Sequence, residues 1–307
     1  MRISSRAYLD HLSANLQRAS DQIARLSLQV SSGRRLTRPS DDPLAVGEVL
    51  DARADLARVV NRQKVLDKAA RLTSTADVAL GSMTAMLRQA NDLALAATQP
   101  GMESASRAAI AEQLRSLARS IMDEANASVA GDYVFAGKLS QTAPFSQTGS
   151  TVNYAGSSEG LELWVAPGRP MEVTIPGDRL FNFTDSAGQR AVAEVDEDLF
   201  ALIERLAAAV QAGDDTAVEQ MTVPLRLLSD HVVQMRGVLG ARVARIESSR
   251  EAAADAQVRM EEMLADTEGV DLVKAMVELE NEKLAYQSAL AATAKLVQLP
   301  TLFELQW

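Results

Sequence analysis

The chain has 307 residues, no cysteine, a formal net charge of −10, 47% hydrophobic residues and only 4% aromatics. The missing cysteines exclude a disulfide scaffold, a thiol nucleophile and a cysteine metal site, and the acidic balance speaks against a nucleic-acid partner. An apolar content carried by Ala, Leu and Val suits thin helical seams better than one deep core. Charge is uneven: residues 1–71 hold 13 Lys/Arg against 8 Asp/Glu, a net of +5, and the remainder has a net of −15.

Taken in order, the first strong pattern is Leu9, Leu12, Leu16, Ala19, Ile23, Leu26 and Val30, spaced alternately by three and four. This is a heptad seam that one helix cannot bury alone. Its expected partner is the comparable stretch between Val270 and Leu299, so the two ends of the chain are expected to meet. The first seam stops at Ser31-Ser32-Gly33, where glycine suits the left-handed residue beyond a helix end. A basic linker with Arg34, Arg35 and Arg38 follows, expected to be solvated or to meet acidic neighbouring subunits. Ser40, Asp41, Asp42 and Pro43 then read as a cap and first helical position.

From Pro43 to Gln99 no proline interrupts, and Leu66, Ala69, Thr73, Ala76, Leu80, Met83, Leu87, Ala90, Ala94 and Ala97 keep the three-four rhythm. At about 1.5 Å per residue this predicts a helix roughly 85 Å long, with Gly47 and Gly81 as close-packing points. A third helix is predicted from Ser104 or Ser106 to about Ser128, with Ile110, Leu114, Leu117 and Ile121 on one face. Alternating patterns then take over. Tyr133-Val134-Phe135 reads as a short strand, and Leu161 to Val165 with Met171 to Ile175 as a hairpin turning at residues 166–169. Helical pattern resumes near Asp198, pauses at Gly213 and continues from about Asp215 to Ala265. Pro224 is expected to kink that last helix, and an extra step of four at Leu239–Val243 to relax its supercoil locally. The last stretch carries Val270, Val273, Val277 and Leu284 and then many alanines, up to Leu299-Pro300.

The predicted fold class is therefore mainly α with a small inserted β-domain, an elongated rod of long helices in antiparallel coiled-coil arrangement. The expected division is a terminal helical pair (1–42 and 266–307), a long-helix rod domain (43–137 and 191–265) and an outward β-domain (138–190).

Chemistry-bearing motifs are sparse. His11 and His231 have no second ligand at metal spacing, and neither HExxH, GxSxG, a P-loop nor GxGxxG occurs. Asp41-Asp42 is better explained by helix capping than by acid-base work. Met83, Met86, Met260 and Met263 read as core fillers, and the glycosylation-type triplets at Asn126 and Asn182 are short matches that recur by chance. No catalytic, cofactor-binding or metal residue is predicted. The opening residues 1–6 are not followed by an apolar region with a cleavage site, and no run approaches the roughly 20 apolar residues of a membrane span. Neither a cleaved signal nor membrane insertion is expected.

The linker and cap, residues 31–43 (SSGRRLTRPSDDP), resemble the signature after the first helix of the bacterial flagellin family. Leu239-Gly240-Ala241-Arg242 with Arg245-Ile246-Glu247 is similar to a second family motif. Asp266 to Asp271, Tyr286-Gln287, Ala289-Leu290 and Leu299-Pro300 are similar to its terminal segment. Met1-Arg2-Ile3-Ser4-Ser5, Tyr133 to Gly137 with Thr142 to Phe145, Tyr154-Ala155-Gly156 and Gly177 to Phe181 resemble the members found at the hook-filament junction more than the filament subunits. The aromatic ending Phe303 to Trp307 departs from the usual aliphatic one.

This resemblance implies a non-enzymatic adaptor, exported without a cleaved signal by the flagellar type III apparatus and located outside the cell in the flagellum. Its implied partners are copies of itself in a ring, the preceding hook-associated protein, flagellin, and an export chaperone at the C-terminal helix. The expected assembly interface is Leu9, Leu12, Leu16, Ile23, Leu26 and Val30 with Val273, Val277, Leu284 and Leu290. The alternatives are a filament-forming flagellin and a secreted coiled-coil effector. A flagellin with a grafted peptidase is disfavoured, because residues 138–190 contain no histidine.

Overall fold

The computed structural model describes residues 2–99, 101–149, 151–166 and 168–298. The described chain is mostly helical: α1 (Arg2–Ser32), α2 (Pro43–Ala97), α3 (Ser104–Ala125), α4 (Gly177–Phe181), α5 (Leu199–Ala212), α6 (Asp215–Glu268) and α7 (Leu272–Gln298). Six short strands lie between α3 and α4: β1 (Ser128–Val129), β2 (Asp132–Tyr133), β3 (Phe145–Thr148), β4 (Thr151–Tyr154), β5 (Glu162–Ala166) and β6 (Arg169–Glu172). Two compact units result, Met1–Arg58 with Ala256–Trp307, and Val59–Asp255.

In the first unit α1 packs on α7. The carbonyl of Gly33, just past the end of α1, accepts from the N–H of Val270, just before α7. The end of one helix thus meets the start of the other, so the packed pair runs antiparallel. Leu26 is buried on α1 with Leu16, Ala19, Ile23 and Val30 half-buried, the three-four rhythm of a seam. Ala45, Val49 and Ala52 on α2 and Ala275 and Leu279 on α7 complete the buried apolar set of this unit.

In the second unit all ten seam positions from Leu66 to Ala97 on α2 are buried. Gly81 is a close-packing point, since a Cβ there would lie 3.3 Å from the Arg236 guanidinium, whereas Gly47 has nothing within 4 Å. The helix runs through both, because a glycine costs only about 1 kcal/mol in a helix interior. On α3 the buried line is Ala111, Leu114, Ile121 and Ala125, with Ile110 and Leu117 only partly covered; this helix packs on α5. Helix α5 opens with Asp198, whose Oδ1 accepts from the N–H groups of Phe200 and Ala201 at 3.0 and 2.9 Å.

Helix α6 continues through Pro224. In the stretch after Leu239, Arg242 and Val243 are both half-buried. Leu225, Leu228, Val232, Leu239, Ile246 and Ala253 are buried, and half-buried Met235 and Arg242 fill the steps between. An arginine therefore occupies a seam position that a hydrophobic pattern skips.

The strands form three separate two-stranded antiparallel sheets. The β1–β2 turn has Ala130 and Gly131 at φ 53° and 88°, the pair of left-handed residues that a type I′ hairpin requires. Val134 and Phe135 lie beyond β2 and are fully buried, which corrects the strand expected there. The Leu163–Met171 hairpin forms with a register irregularity between Leu163 and Ala166. Five of the six phenylalanines gather here with Tyr154, and Phe145 lies 5.1–5.9 Å from Tyr154, Phe181, Phe183 and Phe200 by ring centroid. Since Phe200 belongs to α5, the strands and helices of this unit share one core.

Candidate assembly elements

The motif after α1 folds into a compact joint. Asp42 Oδ1 accepts from the N–H of Ala45 at 3.2 Å, the bond of an N-cap residue to the third helical position. Pro43 follows at the first helical position, where its missing N–H leaves nothing unpaired. Asp41 does different work from capping. Its Oδ2 accepts from Arg38 N at 2.8 Å and from Thr37 N and Oγ1 at 3.1 Å, while Oδ1 lies 3.4 Å from Arg25. The Arg38 N–H is the main cause holding the Asp41 carboxyl below its ordinary range, with the Thr37 donors and Arg25 adding to it. Ser40 is exposed.

Two of the linker arginines, Arg34 and Arg35, are engaged within the chain. Arg34 Nε lies 3.2 Å from Glu268 Oε2, and Arg35 donates from its guanidinium to Thr267 O at 3.2 Å. Arg35 N donates to Glu268 O at 2.6 Å, and Arg34 and Gly269 form an isolated antiparallel bridge. From α2, Arg53 Nη2 sits 2.7 Å from each Glu268 oxygen. Glu268 is 8% exposed, so the two guanidiniums compensate a carboxylate that would be costly alone. Its role had no signal in periodicity; only its proximity to the basic linker across more than 230 residues reveals it.

The predicted interface residues are placed on two different lines. Leu16, Ile23, Leu26 and Val30 lie along the inward line of α1. Leu9 and Leu12 lie in α1, but their side chains are outside those described. On α7 the inward line is Ala275, Leu279, Glu282, Tyr286, Ala289 and Thr293, again at steps of three and four. Val273, Val277, Leu284 and Leu290 are 75%, 57%, 60% and 42% exposed, and Leu272 and Met276 are exposed beside them. The most apolar line of α7 is thus turned away from α1, whose contact is made through smaller and more polar side chains. Leu299-Pro300 and the aromatic ending lie outside the described residues.

In the second unit the family-like segments converge on Tyr154. Its hydroxyl lies 3.0 Å from the carbonyls of Phe135 and Ser157 and accepts from Gly177 N at 3.2 Å. Gly177 is required for this approach: a Cβ there would lie 2.4 Å from the Phe145 ring and 2.8 Å from that of Tyr154. Burial pushes the phenol far above its ordinary pKa, so it stays a neutral donor. The two glycosylation-type asparagines are structural: Asn126 bridges Phe145 N and O at 3.0 Å, and buried Asn182 donates to Val195 O and Glu197 O. His231 Nε2 lies 2.8 Å from Arg179 O. Among the described residues no group of acidic or histidine side chains is arranged to hold a metal ion, and no helix is long and apolar enough to cross a membrane.

The described fold thus combines a capped linker between two long helices, terminal helices α1 and α7 that pair antiparallel, and a strand-rich segment between the helices. Residues 3–140 match the bacterial flagellin N-terminal helical region and residues 228–303 match the C-terminal helical region. The chain belongs to the bacterial flagellin family.

It is similar to flagellar hook-associated protein 3 of Escherichia coli strain K12, with 27% identity over 267 residues covering 79% of this chain and 80% of the relative. The protein of the same name from Salmonella typhimurium is 25% identical over 81% and 82%. Among solved structures, a putative flagellar hook-associated protein from Vibrio parahaemolyticus shares the fold with a TM-score of 0.65 at 18% identity, covering 75% of this chain and all of that one. FlgL from Xanthomonas campestris gives a TM-score of 0.61 at 16% identity, over 70% and 99%.

Proposed function

We propose that the protein is a structural adaptor of the bacterial flagellum, joining the hook, through the preceding hook-associated protein, to the flagellin filament. The observation that carries this reading is the similarity to relatives named hook-associated protein 3 along about four fifths of both chains. The work is mechanical, and no residue is assigned to catalysis. In this reading residues 1–42 and 266–307 form the inner layer of a ring, 43–137 with 191–265 form the next layer, and 138–190 face outward. The exposed apolar line Val273, Met276, Val277 and Leu284 supports it. So large an unpartnered stripe marks an interaction surface more often than a solvated face, and a neighbouring copy would cover it. Export through the flagellar type III apparatus, with a chaperone on the C-terminal helix until assembly, belongs to the same reading.

The test is a deletion strain, with hooks observed by electron microscopy and flagellin measured in the culture medium. Bare hooks with flagellin shed as monomer are the expected outcome. Bare hooks with no major flagellin in the medium would make this chain the filament subunit instead. Normal filaments would sink both readings and favour a secreted coiled-coil protein.

A further inference from the structure

The α1–α7 contact specifies its own register weakly. Its inward line on α7 consists of Ala275, Leu279, Glu282, Tyr286, Ala289 and Thr293, and the small Ala275 and Ala289 offer few large knobs to hold one heptad alignment against another. A slide of seven residues moves one helix by about 10 Å along the other. It presents the same face of each helix to the other. Some other feature must choose among these alignments.

The joint at the base of the pair is built to do so. It ties the segment leaving α1 to the segment entering α7 by main-chain bonds in both directions, Arg35 N to Glu268 O at 2.6 Å and Val270 N to Gly33 O at 3.2 Å. Gln29, itself buried, donates from Nε2 to Arg35 O at 2.8 Å and fixes the last turn of α1 to the same linker segment. Glu268 gathers Arg34 and Arg53. Gly269 follows the last residue of α6, its N–H bonded to the carbonyl of Ala265 at 2.8 Å, and a Cβ there would lie 2.2 Å from that same oxygen. These bonds hold a single alignment, because a seven-residue slide would pull Gly269 away from Arg34 and strip both guanidiniums from a buried carboxylate.

We propose that the Arg34–Glu268–Arg53 cluster, with the Arg34–Gly269 bridge, is the clamp that sets the register of the α1–α7 pair. Counted outward from the joint at about 1.5 Å per residue, the clamp aligns Val30 with Ala275, Leu26 with Leu279, Ile23 with Glu282, Ala19 with Tyr286 and Leu16 with Ala289. The clamp also determines which line of α7 is left outward, namely the one bearing Val273, Val277 and Leu284. The proposal concerns the single chain and holds whether or not copies assemble.

The absence of cysteine makes paired cysteines a direct readout in the full-length protein. Leu16→Cys with Ala289→Cys reports the clamped register, and Leu16→Cys with Glu282→Cys reports a slide of one heptad. In the otherwise unaltered chain, mild oxidation should cross-link the first pair and not the second. With Glu268→Gln and Arg34→Gln added, the first cross-link should fall about fivefold or more, the factor that roughly 1 kcal/mol of lost preference gives, and the second should appear. Restoring Arg34 alone, which returns one donor to the neutral amide, should recover part of the first cross-link.

Far-UV circular dichroism and the thermal transition of each variant separate sliding from failure to fold. An unchanged first cross-link in a folded clamp variant would overturn the proposal, because the seam itself would then set the register. Loss of both cross-links would overturn it too, since the cluster would be holding the helices together rather than choosing their alignment.

Discussion

Arg242 reaches from a seam position of α6 to Glu172 at the end of β6, with Nη2 at 2.7 Å from Oε2 and Nη1 donating to Thr174 O at 2.9 Å. Its side chain is only 17% exposed and that of Glu172 27%, so each charge needs the other. Arg242→Met keeps the helix and much of the volume while removing both bonds. We expect it to cost about 2 kcal/mol, the range of hydrogen bonds to charged groups. Urea unfolding should show a lower midpoint with an unchanged slope, and in a double-mutant cycle with Glu172→Gln the double variant should cost less than the sum of the two single ones.

Asp132 carries a pH dependence. Lys68 is the largest influence holding its carboxyl below the ordinary range, followed by the Ser140 hydroxyl, and Gln141 adds a third donor. A folded-state pKa below the unfolded value of about 3.9 means that the stabilisation is complete above the unfolded pKa. It is lost as pH falls through the folded one. The thermal midpoint of Asp132→Asn should lie below that of the parent at pH 7, and the gap should close under strongly acid conditions.

Tyr154→Phe removes the hydroxyl that accepts from Gly177 and lies between the carbonyls of Phe135 and Ser157. The expected loss is about 1 to 2 kcal/mol, since buried carbonyls are left with fewer donors. Gly177→Ala should be at least as damaging, because its Cβ would meet the Phe145 ring at 2.4 Å and overpacking forces the core apart. Both are read from chemical denaturation. The phenol absorbance of Tyr154 should stay that of the protonated form up to strongly alkaline pH.

Assembly and folding are expected to separate on α7. Val273→Glu with Val277→Glu alters only exposed positions and should change monomer stability by no more than about 0.5 kcal/mol, while abolishing incorporation into flagella. Leu16→Asp, on the inward line of α1, should also block assembly, but it should loosen the α1–α7 pair in the monomer as well. Immunoblots of purified hooks and filaments, together with limited proteolysis of the terminal helices, distinguish the two effects. Normal incorporation of either variant would remove the terminal helices from the proposed interface.

Periodicity located the long helices and the buried seam of α2 from Leu66 to Ala97, because its regularly spaced apolar residues all meet a partner surface in this fold. It also located the helix start after residue 42, since proline and aspartate act there through local backbone bonds. Tertiary structure alone decided what lies far apart in sequence. Glu268 became the centre of the linker because two arginines reach it from other segments, and Arg242 took a seam position because Glu172 and Thr174 come to meet it. The choice between the two apolar lines of α7 was equally hidden. Hydrophobic pattern favours the larger residues Val273, Val277 and Leu284, whereas the pairing with α1 uses the line of Ala275, Leu279 and Ala289. Burial is a property of the partner surface, and a single helix sequence does not contain its partner.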